Sequence, residues 1–196
     1  MKHLLTILSI LLLSSPVIGQ ETGVLYQYET SSGIKWENFG KVKVQPMYKG
    51  EIKNGVPNGQ GLYSYLDGRK YFGQWQDGKI NGRGSYTSPF RWKYVGQFKD
   101  GKFHGQGKYT YPDGERYVGE FKNGIQDGQG TLSYPDGRKY VGEFKNGIQN
   151  GQGKNTFSNG WNGIGEWIDV EPWNIKVFDK NGNLKMKWEN GKVHYF

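Results

Sequence analysis

Tyr117-Val118-Gly119-Glu120-Phe121-Lys122-Asn123-Gly124-Ile125-Gln126-Asp127-Gly128-Gln129-Gly130 returns 23 residues later from Tyr140 with one change, Asn150 for Asp127. Working outward from this pair, the period persists. Tyr48, Tyr71, Tyr94, Tyr117 and Tyr140 stand 23 residues apart and open five units. Counted from that tyrosine, position three is Gly50, Gly73, Gly96, Gly119 and Gly142, and position eight is Gly55, Gly78, Gly101, Gly124 and Gly147. Position twelve is Gly59, Gly82, Gly105, Gly128 and Gly151, and position fourteen is Gly61, Gly84, Gly107, Gly130 and Gly153. A strict period of this length marks a stacked repeat, in which each unit buries surface only against its neighbours.

Inside one unit the pattern is that of a β-hairpin. Tyr117, Gly119 and Phe121 alternate with Val118 and Glu120, the period of two of a half-buried strand. Asn123-Gly124 is a turn dipeptide. The second strand, Gly128 to Tyr134, places Gly128, Gly130, Leu132 and Tyr134 on one face and Gln129, Thr131 and Ser133 on the other. Pro135-Asp136-Gly137 then turns the chain into the next unit. Glycine weakens a strand unless something approaches its backbone closely. The expected ladder is therefore Tyr71, Trp75, Tyr94, Phe98, Tyr117, Phe121, Tyr140 and Phe144 lying over a floor that includes Gly96, Gly119 and Gly142. The fold class that follows is all-β, an elongated single-layer ribbon of antiparallel hairpins. Ten strands at about 4.8 Å give a ribbon about 45–50 Å long.

The run Tyr117 to Gly124, followed by Gly128-Gln129-Gly130 and Asp136-Gly137, resembles the MORN (membrane occupation and recognition nexus) repeat, and the likeness spans residues 48–162. It implies a MORN-type solenoid or ribbon with terminal capping hairpins. It also implies membrane-associated or protein–protein roles, including self-association. Unit two departs from the motif, since Phe90-Arg91 replaces the Asp-Gly turn and suggests an altered or longer bend. Unit five carries Asn159-Gly160 there, and a partial sixth unit is expected at Trp161-Asn162-Gly163, two residues short of register.

The flanks divide the rest of the chain. Lys2, an apolar stretch from Leu4 to Leu13, and Ser14-Ser15-Pro16 ahead of Gly19 have the layout of a secretory signal peptide over 1–19. Residues 20–47 are an N-terminal capping segment in which Trp36, Phe39 and the alternating Val42-Lys43-Val44, ended by Pro46, are expected to form a capping strand. Residues 163–196 hold the partial repeat and a capping hairpin, in which Ile175-Lys176-Val177-Phe178 and Leu184 to Trp188 flank the turn Asp179 to Asn183. Export places the protein in the periplasm or outside the cell, peripheral to a membrane if its face is basic enough. The chain has no cysteine, which excludes disulfides, thiolate metal sites and a cysteine nucleophile. Loss of the leader removes only Lys2 and leaves 25 basic against 18 acidic side chains, a net +7 that favours acidic partners.

The residues point away from catalysis, and no cofactor or metal is expected. His104 occupies position eleven, where Asn58, Asn81, Asp127 and Asn150 stand in the other units, so a turn role outweighs a base or ligand role. Position four reads Glu51, Gln74, Gln97, Glu120 and Glu143, a solvated row rather than an acid–base pair. The glycine pairs are strand glycines, with no helix following to cradle a phosphate. The candidate binding surface is the face opposite the rings, for anionic groups: Lys53, Lys99, Lys122 and Lys145 at position six, and Lys70, Lys93, Arg116 and Lys139 before each repeat tyrosine. The function expected is a non-catalytic scaffold that engages a protein partner, itself, or an anionic membrane surface. Glycan binding through exposed rings is the alternative, and nucleic acid fits poorly with export.

Overall fold

The structure, a computed structural model, describes residues 21–196; the expected signal peptide lies outside the described residues. Among the described residues, sixteen antiparallel strands join one open sheet and none is helical. At one end β1 (Glu21–Thr30) lies between the edge strand β2 (Gly33–Glu37) and β3 (Met47–Lys53). The five units supply β3 and β4 (Val56–Ser64), β5 (Lys70–Gln76) and β6 (Lys79–Thr87), β7 (Lys93–Lys99) and β8 (Lys102–Thr110). They continue as β9 (Arg116–Lys122) and β10 (Ile125–Ser133), then β11 (Lys139–Lys145) and β12 (Ile148–Thr156). Beyond them β13 (Asn162–Ile168), β14 (Glu171–Phe178), β15 (Leu184–Glu189) and the edge strand β16 (Lys192–Tyr195) follow in chain order.

Glycine pairs with glycine all the way across. From Gly23 opposite Gly50 the cross-strand partners run through Gly61, Gly73, Gly84 and Gly96 to Gly153 opposite Gly165. The rings need this rail. A Cβ on Gly130 would sit 2.5 Å from Cε2 and Cζ of Tyr117, and one on Gly119 would sit 2.5 Å from the Gly130 Cα. Tyr48, Tyr71, Tyr94, Tyr117 and Tyr140 are all fully buried there. Each position-five ring then wedges edge-on between two of these tyrosines. Phe121 meets Tyr94 at 5.0 Å and Tyr117 at 5.1 Å, both at 87°, and Phe144 meets Tyr117 at 4.9 Å and Tyr140 at 5.3 Å. Such pairs add about 0.5–1.5 kcal/mol each beyond their buried area, and they couple one unit to the next.

Every unit carries a β-bulge, which corrects one expectation. The ladder between the two strands of a hairpin slips beside position four, as between Gly73 and Trp75 on β5. The carbonyl freed there accepts the tyrosine hydroxyl: Tyr71 donates to Gln74 O at 2.8 Å, Tyr94 to Gln97 O at 2.8 Å and Tyr117 to Glu120 O at 3.0 Å. Opposite it, Gly128 adopts φ +108°, and a Cβ there would meet the Glu120 carboxylate, not a ring. The position-twelve glycines therefore belong to the bulge and not to the floor beneath the rings. Simple alternation fails because the bulge changes which face a residue takes.

The hairpin turns have positive φ at both central residues, as Asn123 (54°) and Gly124 (97°) show, which is the two-residue turn that matches strand twist. Each turn is tied to the unit before it. The Gly101 N–H donates to Ile80 O, that of Gly124 to Phe103 O, and that of Gly147 to Gln126 O. The sixth unit keeps this device. Val170 holds φ 74°, where the repeats have glycine, and still donates to Gln149 O.

Three further expectations change. The bend of unit two is not longer: Arg91 N–H bonds Ser88 O as Gly68 N–H bonds Tyr65 O, and Arg91 takes the left-handed conformation at φ 68°. The sixth unit is in register, with Gly163 at the tyrosine position, Gly165 opposite Gly153 and Trp167 at position five against Tyr140. Val42-Lys43-Val44 is no strand. It lies in a turn stapled by Lys41 O to the Val44 and Gln45 N–H groups, and capping falls to β1 and β2. The C-terminal hairpin forms as expected, β14 pairing β15 around Asp179, whose carboxyl is held at about 2 by hydrogen bonds from Asn183.

Two outcomes follow. Gly130→Ala is expected to cost about 3 kcal/mol, the upper range for overpacking, whereas Gly124→Ala, with open space around it, should cost about 1–2 kcal/mol of left-handed strain; urea titrations of both variants check the contrast. Alkali should also unfold the ribbon. Burial raises the Tyr94 and Tyr140 hydroxyls from 10.0 to about 12, and Tyr48, Tyr71 and Tyr117 shift the same way. A folded pKa raised above the unfolded one gives stability that is complete below pH 10 and lost as pH rises through 12. Far-UV circular dichroism and tyrosinate absorbance should therefore change together in that window.

Candidate functional site

Strand alternation sends positions two, four and six, and the residue before each tyrosine, to the face opposite the rings. In β9 the exposed Arg116, Val118 and Lys122 alternate with the buried Tyr117, Gly119 and Phe121. All eight basic candidates, Lys53, Lys70, Lys93, Lys99, Arg116, Lys122, Lys139 and Lys145, are exposed on this face. None of the eight forms an ion pair among the described residues. They run as two rows across the ribbon, one at each end of the first strand of the hairpins, broken by Met47 in unit one and Gln76 in unit two.

Between those rows lies a feature that the charge pattern hides. Position two carries Phe72, Val95, Val118 and Val141, and Ile164 continues the line, with exposures of 41–59%. A single apolar stripe thus crosses a basic face. Beside it runs a channel whose floor is the glycine rail seen from its other side. A hollow of about 560 Å³ is bordered by Phe72, Val95, Val118, Gln97, Gln106 and Lys108. Across Phe72 a second hollow of about 460 Å³ is bordered by Val24, Lys49 and Leu62.

Position four explains why the channel is open. Its side chains fold over the bulge and accept the free N–H at position thirteen: Glu51 from Gln60 at 3.1 Å, Gln74 from Arg83 at 2.6 Å, Glu120 from Gln129 at 3.3 Å and Glu143 from Gln152 at 3.2 Å. Drawn sideways, they do not cover the rail. These residues are clamps rather than a plain solvated row. The signal for this was their constant distance from the position-twelve glycine, against which they pack.

The ring columns are interior. Tyr71, Tyr94, Tyr117 and Tyr140 are buried completely, and Trp75, Phe98, Phe121 and Phe144 nearly so, above Gly96, Gly119 and Gly142. A second row is less covered: Trp92 stacks between Tyr86 at 5.2 Å and Tyr109 at 5.8 Å. His104 lies at the bulge of unit three, where its carbonyl faces the Tyr94 hydroxyl at 3.5 Å. Among the described residues no three His, Cys, Asp or Glu side chains are gathered as a metal site.

A family model for the MORN repeat matches residues 48–68, 71–89, 94–116, 117–137 and 140–162. No curated protein matches the chain. Among solved structures the chain is similar to the TCP domain of SAS-4 (dCPAP) from Drosophila melanogaster, determined in complex with a proline-rich motif of Ana2 (dSTIL). That likeness has 13% identity, covers 88% of each chain and has a TM-score of 0.45. The wild-type TCP10 domain of CPAP from Danio rerio is also similar, at 15% identity over 84% of this chain and 89% of that one, with a TM-score of 0.31.

The clamp can be tested apart from any ligand. Glu143→Ala leaves the Gln152 N–H without its acceptor and should cost about 1 kcal/mol. Glu143→Gln should stay within a few tenths of wild type, because Gln74 already performs this role. Thermal unfolding of the two variants decides it.

Proposed function

The chain belongs to the MORN-repeat family, and from that premise we propose that it is an exported, non-catalytic binding ribbon whose outer face seats an acidic, aliphatic segment of a protein partner. The observation that carries this reading is the exposed line of Phe72, Val95, Val118, Val141 and Ile164 set between rows of lysine. A face meant only to stay solvated has no use for an apolar side chain in register in each of units two to five. Covering the exposed half of such a Val or Phe side chain is worth about 0.7–1.5 kcal/mol, whereas an exposed Lys–carboxylate pair gives about 0.2–1 kcal/mol. The stripe therefore supplies most of the affinity, and the lysines steer an acidic partner onto it and set its register. Export rests on Lys2 and the apolar run from Leu4 to Leu13.

The test is a selection of displayed peptides on residues 20–196, followed by affinity measurements across a salt series. Selected peptides should combine acidic and aliphatic residues. The double change Val95→Ser, Val118→Ser should weaken them more than tenfold, and Lys99→Gln, Lys122→Gln, Lys145→Gln should weaken them less and flatten the salt dependence. Anionic vesicles run beside them supply the opposing outcome. Binding to vesicles that ignores the valine changes and vanishes with the lysine changes would replace the protein partner with a membrane surface. A mass that grows with concentration and is reversed by the valine changes would replace it with a second copy of the chain.

A further inference from the structure

The apolar stripe of the outer face has a fixed spacing. One row of cross-strand partners runs through it without a break. Phe72 faces Ser85, Ser85 faces Val95, and the row goes on through Lys108, Val118, Thr131, Val141 and Lys154 to Ile164. Apolar side chains thus stand on every second strand, and a polar one stands between each pair. Strands lie about 4.8 Å apart, so the apolar anchors recur about every 9.6 Å. Twist does little to this spacing. The stripe runs beside the glycine at the middle of each first strand, as Gly119 is in Arg116–Lys122, close to the axis about which successive strands rotate.

Resting on the reading of this face as a seat for an acidic, aliphatic segment, we propose that the segment binds as a polyproline II helix laid along the ribbon, with an aliphatic residue at every third position and acidic residues between. Such a helix returns to the same side after three residues, about 9.3 Å. Over the four steps from Phe72 to Ile164 it drifts from the anchors by about 1 Å in all. A β-strand repeats its side about every 6.8 Å and is out of step within one unit. An α-helix repeats after seven residues, about 10.5 Å. The residues that complete its apolar face, three and four positions on, would land on Ser85, Lys108, Thr131 and Lys154. The three-sided section also fits the charges. With one side on the stripe, the other two lean toward the basic rows, Lys93, Arg116 and Lys139 at one end of the strands and Lys99, Lys122 and Lys145 at the other. Glu120 and Glu143, the carboxylates nearest this path, are turned onto the Gln129 and Gln152 N–H groups. From β5 to β13 the stripe crosses eight strand intervals. That is about 38 Å, the length of about 12 residues in this conformation.

Calorimetric titration of residues 20–196 with four acidic peptides tests the geometry. The peptides carry equal numbers of valines and of glutamates, with glutamine as filler, and their valines recur every second, third, fourth or seventh residue. The period of three should bind about tenfold tighter than any other, and removing one valine-bearing turn from it should weaken it several-fold. Peptides from the displayed selection should carry the same three-residue period. Equal or tighter binding of any other period overturns the proposal and leaves the acidic, aliphatic partner standing in another conformation, as do selected binders that lack the period. Failure of all four peptides and of the selection removes the partner reading itself, and this inference with it.

Discussion

A phenol ring lying against paired glycines, with its hydroxyl tied to the carbonyl that a bulge sets free, is the interaction on which the ribbon rests. Each part requires the others. A Cβ at Gly119 or Gly130 would drive Tyr117 out, and without that ring the Glu120 carbonyl loses its donor at the bulge. Among the described residues the sheet has one layer with no second sheet or helix packed on it, so these rings supply the core that another layer would normally provide. Phe98, Phe121 and Phe144, each wedged between two tyrosines, turn a series of hairpins into one cooperative body.

The same arrangement shapes the outer face. Burying the odd positions commits the even ones to solvent, and the bulge draws position four aside to hold a backbone N–H. What remains is a bare channel over the glycine rail with an apolar side chain beside it in nearly every unit. The binding surface is thus a by-product of how the core is made. Its residues are free to vary, because Phe72 and Val95 occupy one position without altering the backbone around them.

Much of this was legible in the chain itself. The period of 23, the tyrosine over glycine and the Asn-Gly turns each follow from one unit repeated. Readings failed where local alternation met a non-local fact. Gly128 was assigned to the wrong face because a bulge cannot be counted from alternation. The sixth unit was misplaced because its landmark tyrosine is Gly163, while Trp161 offered a false start. Val42 and Val44 alternate like a strand, yet the edge they would have extended is already taken by β1. The apolar stripe is written at position two, but valine in a strand signals only β structure and does not mark a binding surface. The reach of Trp36 to Trp75 crosses several strands and has no signature in sequence.

The near identity of the units from Tyr117 and from Tyr140 carries a cost of its own. A strand that recognises its neighbour by glycine, tyrosine and phenylalanine alone cannot tell one copy from the next. During folding β8 can meet β11 as readily as β9, expelling one hairpin as a loop while every remaining contact looks native. Between two chains the same error exchanges hairpins and links the molecules. The caps at either end, unlike any unit and unlike each other, are then the registration marks from which correct assembly is counted.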